Sequence, residues 1–302
     1  MKVLSRDKIV YQFSPQNIPA ETVRPGEPVV FETHDCFTGQ IQKESDLVAS
    51  VDFSRVNPAT GPLAVEGAGP GDLIGVAIKS IQVEQKGVMV AIPGEGAFSD
   101  RITHSSTKIV PISGGRFHFG PGLSFPLAPM VGVIGVSPED RPVPCGEIGD
   151  HGGNLDAKVI RRDAAVYFLV RAKGALLGMG DVHAGMGDGE SVICGVEVPA
   201  RVEASVSLVK NPDYRPARPV VELKDLVVTI AHGPTLDQAA KAALDDMLDL
   251  VMHHTGMSAD EASMLISAVG DLKVCQIVDP QKTARVEMPR SVLAPPGKPL
   301  FG

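Results

Sequence analysis

Cysteine is scarce in this sequence and never closely paired. Cys36, Cys145, Cys194 and Cys275 stand far apart with no CxxC among them, which argues against a zinc ribbon or a thioredoxin-type dithiol. Free thiols in a reducing cytoplasm are the expectation. No run of about 18 apolar residues occurs, so no membrane-spanning helix is expected. The opening MKVLSRDKIVYQFS lacks the apolar stretch of a signal peptide. Basic clusters are missing too. Arg161-Arg162 is the one close pair of arginines, and 28 basic against 36 acidic residues leave a formal net charge of −8. That balance argues against nucleic acid or an anionic membrane as partner.

Several catalytic signatures are also absent. No G-x-S-x-G elbow is present to expose a serine nucleophile. Ser105-Ser106 with Lys108 lacks the glycine-rich frame of a serine–serine–lysine amidase. No G-x-G-x-x-G follows a strand in a βαβ setting and no P-loop occurs, so a nucleotide cofactor is not expected. Cys36 sits beside Asp35, whose charge would raise the thiol's pKa and blunt it as a nucleophile.

Glycine and proline, in contrast, are plentiful: 32 and 25 of 302 residues, spread along the chain rather than gathered in a linker. With 43% hydrophobic residues the chain can bury a large core, so this punctuation points to many short strands joined by turns. RPGEPVVFET (24–33) reads as a turn and a β-branched run. GPGDLIGVAIKSIQVE (69–84) reads as a turn followed by partial alternation through Val76, Ile78, Ile81 and Val83. ARVEASVSLVK (200–210) alternates Val202, Ala204, Val206 and Leu208 against Glu203, Ser205 and Ser207, a half-buried strand.

The pattern changes at 235. Thr235 with Gln238 forms a capping-box signature, and a helical apolar stripe runs from Leu236 to Val251, with Gly256 placed to end it. Ser258 with Glu261 opens a second helix that Gly270 closes, and LKVCQIVD (272–279) returns to strand spacing. The expectation is one domain over 1–302 of mainly β, sandwich-rich α+β class. It is β-rich over 1–230, with a helical pair near 235–270 and strands after it.

Chemistry-bearing side chains gather beside glycine in four segments. ETHDCFTGQ (32–40) carries His34 and Asp35; PATGPLAVEGAGPGD (58–72) carries Glu66. GEIGDHGGNLD (146–156) carries Glu147, Asp150, His151, Asn154 and Asp156; GDVHAGMGDGE (180–190) carries Asp181, His183, Asp188 and Glu190, with Glu197 soon after. Asp181 and His183 are spaced i, i+2, which in a regular strand puts both on one face, about 6.5–7 Å apart along the backbone. Acidic groups so gathered repel one another unless a cation lies among them. Carboxylate with imidazole suits zinc or a similar divalent ion, whereas an all-oxygen set suits calcium or magnesium.

Plain structural roles compete with each reading. Asp188-Gly189 is first of all a turn, Asp35 can hold a loop, and His34 would point away from Asp35. Glu66 and Glu147 beside turns suit solvated positions. His253 and His254 complement a helix dipole, while His104, His118 and His232 have no acidic neighbours nearby.

Taken together, TVRPGEPVVFETHDCFTGQI (22–41), NPATGPLAVEGAGPGD (57–72), HGGNLD (151–156), GDVHAGMGDGE (180–190) and GDLKVCQIVDP (270–280) resemble the acetamidase/formamidase family, in its order and over nearly the whole chain. The resemblance implies hydrolysis of small aliphatic amides such as formamide and acetamide to ammonia and the carboxylic acid. It implies a β-sandwich-rich fold, a divalent metal and a homo-oligomer built on dimers. Onto matching positions it carries Asp35, Asp156, Asp181, His183 and Glu197 as metal ligands, and Glu66, Glu147 and Glu190 as candidates for the proton-transfer carboxylate. Zinc is the first candidate metal, with calcium an additional one. The Gly152-Gly153 pair would let backbone N–H groups approach an oxyanion. Two other readings fit the residues: a β-sandwich that uses calcium to pin acidic loops and binds a ligand, and a hydrolase of a larger or cyclic amide. His183 separates the first of these, because a purely structural calcium site has no use for imidazole.

Overall fold

The computed structural model describes residues 1–295 and 297–301. Two large sheets face each other, and a pair of helices covers the outer face of the larger one. The nine-stranded sheet runs in the order Lys2–Leu4, Pro28–Thr33, Ala200–Val209, Leu73–Val83, Ala165–Leu169, Val220–Glu222, Leu226–Gly233, Lys282–Pro289 and Asp271–Gln276. Only its first pair is parallel. The seven-stranded sheet is built on Met130–Gly135, Leu177–His183 and Ala59–Val65, with Gly152–Asn154 and Ile148–Gly149 beyond the first of these. A smaller four-stranded sheet joins Lys86–Ala91, Ser106–Ser113, Arg116–Gly120 and Leu123–Pro126.

The expected strands form where the sequence places them, and their burial explains the imperfect alternation in 73–83. Ile74, Val76 and Ile78 enter the core between the two sheets, while Leu73 enters the core beneath the helices. A strand covered on both faces has no polar face to show.

The helices span Leu236–Thr255 and Ala259–Val269. Ser258 and Glu261 close a full capping box. Thr235 accepts the Gln238 N–H, but the Gln238 side chain takes the Thr235 hydroxyl and not its backbone N–H, so that box is half made. Gly256 ends the first helix in left-handed geometry at φ 71°. Ala243, Met247, Leu250 and Val251 of this helix, with Ala262 and Ile266 of the next, pack on Val227, Val286 and Met288 of the sheet. Among the described residues no helix is long and apolar enough to cross a membrane.

Candidate active site

One strand carries the two residues that set the site, and it is not regular. Along Leu177–His183, Leu177 and Met179 enter the inter-sheet core, and unbroken alternation would send Asp181 and His183 there too. Instead Val182 and Ala184 enter the core. Asp181 adopts the left-handed region at φ 51°, which shifts the phase of the strand and turns His183 to the opposite side. The i, i+2 pair keeps to one face as its spacing expects; the phase break at Asp181 makes that face the one turned away from the core, which the spacing does not tell.

Asp156 (φ 41°) and Glu190 (φ 48°) are left-handed as well. Such a conformation costs a non-glycine residue on the order of 1–3 kcal/mol. Three of them converging on one point mark a place where the fold holds side chains against local preference.

That point is a cavity of about 40 Å³, lined by Cys36, Asn57, Asn154, Asp156, Asp181, Glu190, Ile193, Glu197 and Asp279. His183 lies against it and is 1% exposed. Its Nε2 is 3.0 Å from Glu197 Oε1, 3.4 Å from Asp181 Oδ1 and 4.0 Å from both Asp156 Oδ1 and Glu190 Oε1. The ligand-type atoms of Asp156, His183 and Glu190 lie within 4.8 Å of one another, as do those of Cys36, Asp181 and Glu197. Asn154 Nδ2 donates to Asp279 Oδ2 at 2.8 Å, and the Gly195 N–H donates to Glu197 Oε1 at 3.0 Å.

Glycine makes room for this crowding at two positions. A methyl on Gly132 would lie 2.6 Å from Asp156 Oδ1 and 2.8 Å from Asp181 Oδ2; one on Gly195 would lie 2.6 Å from His183 Nδ1. Both approaches are shorter than any real Cβ contact, so bulk at either position would displace a site side chain.

The electrostatics are those of too many acids in too little water. Burial pushes the Asp156 carboxyl well above its usual range, Glu190 up to about 7, Glu197 up to about 8 and Asp279 up to about 6. Burial disfavours a charged His183, but Glu197 and Asp181 outweigh it and raise the imidazole well above its ordinary value. Burial and the neighbouring carboxylates hold the Cys36 thiol far above the range of a free thiol.

A divalent cation fits this donor set. Asn154 Oδ1, Asp156 Oδ1, Asp181 Oδ1, both ring nitrogens of His183 and Glu197 Oε2 are buried with no aligned hydrogen-bond partner. Such atoms are normally satisfied. Five carboxyl groups around one imidazole also leave negative charge that a single imidazolium cannot balance.

The remaining sequence candidates lie elsewhere. Asp35 is buried, but its Oδ1 accepts the Gly39 N–H at 3.0 Å and it does not line the cavity. Glu66 is exposed in the turn after Ala59–Val65. Glu147 is exposed on a separate depression that it shares with Asp150, His151 and Arg171. Of the three glutamates considered for proton transfer, only Glu190 is brought to the cluster. The Gly152-Gly153 pair does not line the cavity either; it is stacked between Met130–Gly135 and Ile148–Gly149.

Sequence reasoning missed Asp279, which sits in an ordinary-looking Val-Asp-Pro turn. It arrives because the loop carrying Glu190 is tied to the hairpin that carries Asp279. Arg285, 1% exposed, grips both carboxylate oxygens of Asp188 at 2.8 and 2.9 Å and donates to Glu287 at 2.8 Å. The Gly189 N–H donates to Cys275 O at 2.8 Å, and the Ile277 N–H donates to Gly189 O at 3.1 Å.

A family model described as the acetamidase/formamidase family matches residues 4–142 and 140–294. The chain belongs to the acetamidase/formamidase family. An acetamidase crystal structure from Bacillus halodurans is 43% identical, with 96% of this chain and 97% of that one covered at a TM-score of 0.93. The structure of a predicted acetamidase/formamidase from the thermophile Thermoanaerobacter tengcongensis is 42% identical, with 97% and 96% covered at a TM-score of 0.94. A formamidase of Methylophilus methylotrophus is 27% identical over 72% of this chain and 70% of its own length.

Proposed function

We propose that this amidase hydrolyses small aliphatic amides at the buried cavity. A divalent cation is held among Asp156, Asp181, His183 and Glu197, and Glu190 beside them moves the proton. Family membership and relatives named formamidase and acetamidase support amide hydrolysis. The observation that carries the cation is the set of buried, unpartnered polar atoms gathered round one point. Imidazole in the donor set favours zinc over calcium. A cytoplasmic enzyme assembled as a dimer-based homo-oligomer belongs to the same proposal and rests on the family resemblance.

In the reaction water adds to the carbonyl carbon, the C–N bond breaks, and amide plus water become carboxylic acid plus ammonia. A divalent ion in this position supplies Lewis acidity, polarising a carbonyl and lowering the pKa of water to about 7. Glu190, with its carboxyl pushed up to about 7 by burial, is a base strong enough to take a proton from water. It then returns the proton to the leaving nitrogen, which is too basic to depart as an anion. Asp156 and Asp181 contribute negative charge from rigid, left-handed backbone. Asn154, anchored on Asp279, keeps its Oδ1 free toward the cavity. The Cys36 thiol stays protonated and takes no nucleophilic part.

The test is ammonia release from formamide and acetamide before chelation, after it, and after adding back single divalent metals. Activity lost on chelation and restored by one metal supports the reading and names the ion. Release indifferent to chelation removes the cation from the mechanism. Asp181→Ala and His183→Ala should lose both turnover and bound metal while circular dichroism is unchanged, and full activity in either removes the site.

A further inference from the structure

The cavity at the cluster, about 40 Å³, holds about three water-sized groups. The proposed cation, the attacking water and the amide carbonyl together fill it, so the acyl portion of the substrate has to lie outside. The adjoining space is a groove of about 490 Å³ whose wall includes Glu190, the residue it shares with the cavity. Met89, Phe117, Phe119, Phe125 and Met186 supply its apolar surface. Phe117 and Phe125 stand with ring centroids 5.5 Å apart, and Phe119 and Phe125 remain 39% and 47% exposed. The chain has only 13 Phe and Tyr residues and no Trp, and it places three of them here on the 116–126 hairpin. The polar side chains on the groove are Asp188, Glu190 and Ser191, and among the described lining residues there is no Lys or Arg.

We infer that this groove is the acyl-binding site, and that the favoured substrates are neutral primary amides whose acyl group is apolar and larger than acetyl. An apolar chain leaving the cavity past Glu190 meets aromatic and thioether surface that favours its burial. A substrate carrying a second carboxylate has to bury that charge against aromatic and thioether surface beside Glu190, and is rejected; Asp188 is already paired with Arg285 and Lys158. The chemistry is unchanged: water adds, the C–N bond breaks, and the larger carboxylic acid and ammonia leave. The inference rests on the amide-hydrolase reading of the cluster.

The experiment measures kcat/KM by ammonia release for acetamide, butyramide, hexanamide, phenylacetamide and succinamate, using the enzyme as purified and its Phe125→Ala variant. The expected result is a rise of about fourfold per added methylene through butyramide, with phenylacetamide at or above hexanamide. Succinamate should fall about 100-fold below butyramide. Phe125→Ala should lower the phenylacetamide-to-acetamide ratio about tenfold. A kcat/KM that falls steadily beyond acetamide overturns the inference and leaves the amidase intact. An unchanged ratio in Phe125→Ala together with a smaller assembly in solution also overturns it, and makes the aromatic hairpin a subunit contact. Absence of ammonia release from every amide overturns the amidase reading itself.

Discussion

Gly132→Ala is the sharpest perturbation of the site, because it adds one methyl group beneath two carboxylates and changes nothing else. The backbone at 132 is not left-handed, so alanine meets no conformational penalty there. Its Cβ would lie 2.6 Å from Asp156 Oδ1 and 2.8 Å from both Asp181 Oδ2 and the Asp181 backbone carbonyl oxygen, against an ordinary contact beginning at 3.4 Å. The two carboxylates must retreat by about 0.6–0.8 Å, and the Met130–Gly135 strand or the backbone at Asp181 must bow to clear the carbonyl. A displacement approaching 1 Å at a reacting centre costs about 100-fold in rate, or about 2.7 kcal/mol of transition-state stabilisation. Overpacking itself costs about 1–3 kcal/mol of stability, which lowers Tm by only a few degrees in a chain of this length. The expected variant is therefore folded, about 100-fold slower on acetamide, and weaker in metal retention. Gly120→Ala is the control, since a methyl there meets nothing within 4 Å at an ordinary φ. Gly132→Ala with kcat/KM within threefold of the parent and undiminished bound metal would refute the reasoning that this glycine seats the carboxylate pair.

Further expectations follow from the same geometry. Glu190→Gln keeps shape and removes the base, so kcat should fall by about 100- to 1000-fold with KM little changed; an intact kcat moves proton transfer to another group. Asp188→Ala leaves the buried Arg285 with Glu287 as its one remaining carboxylate, and should cost about 3 kcal/mol in urea unfolding; a loss below about 1 kcal/mol would mean the guanidinium is satisfied otherwise. His151 is buried and its imidazole is held down to about 4 by burial first, then Arg171. Its folded pKa lies below the unfolded value, so the unfolded chain binds the proton more tightly. The contribution is complete above about pH 6.5 and is lost as pH falls toward 4, about 3 kcal/mol in all. Urea midpoints of the parent and His151→Asn should converge over that window, and parallel curves would remove His151 from the account. Chelation should lower Tm reversibly, because a ligand at about 100 times its Kd stabilises the folded state by about 2.7 kcal/mol.

The sequence alone determined the class of the fold and most of its elements. Glycine and proline among ample aliphatic residues specified short strands, and the Ser258–Glu261 box and Gly256 placed the two helices, because those are local properties of backbone and capping. It also named the acidic cluster in large part: Asp156, Asp181, His183, Glu190 and Glu197 stand beside glycines whose spacing asks for close approach. Tertiary structure decided which acids meet. Glu66 and Glu147 occupy turns as glycine-rich as those around Asp181, yet face solvent, while Asp279 in an ordinary turn reaches the cavity. The deciding contacts, the Arg285 grip on Asp188 and the phase break at Asp181, join residues or settle φ values that no local pattern encodes. Spacing along a strand gives a direction only while the strand stays regular, and this site is built where it does not.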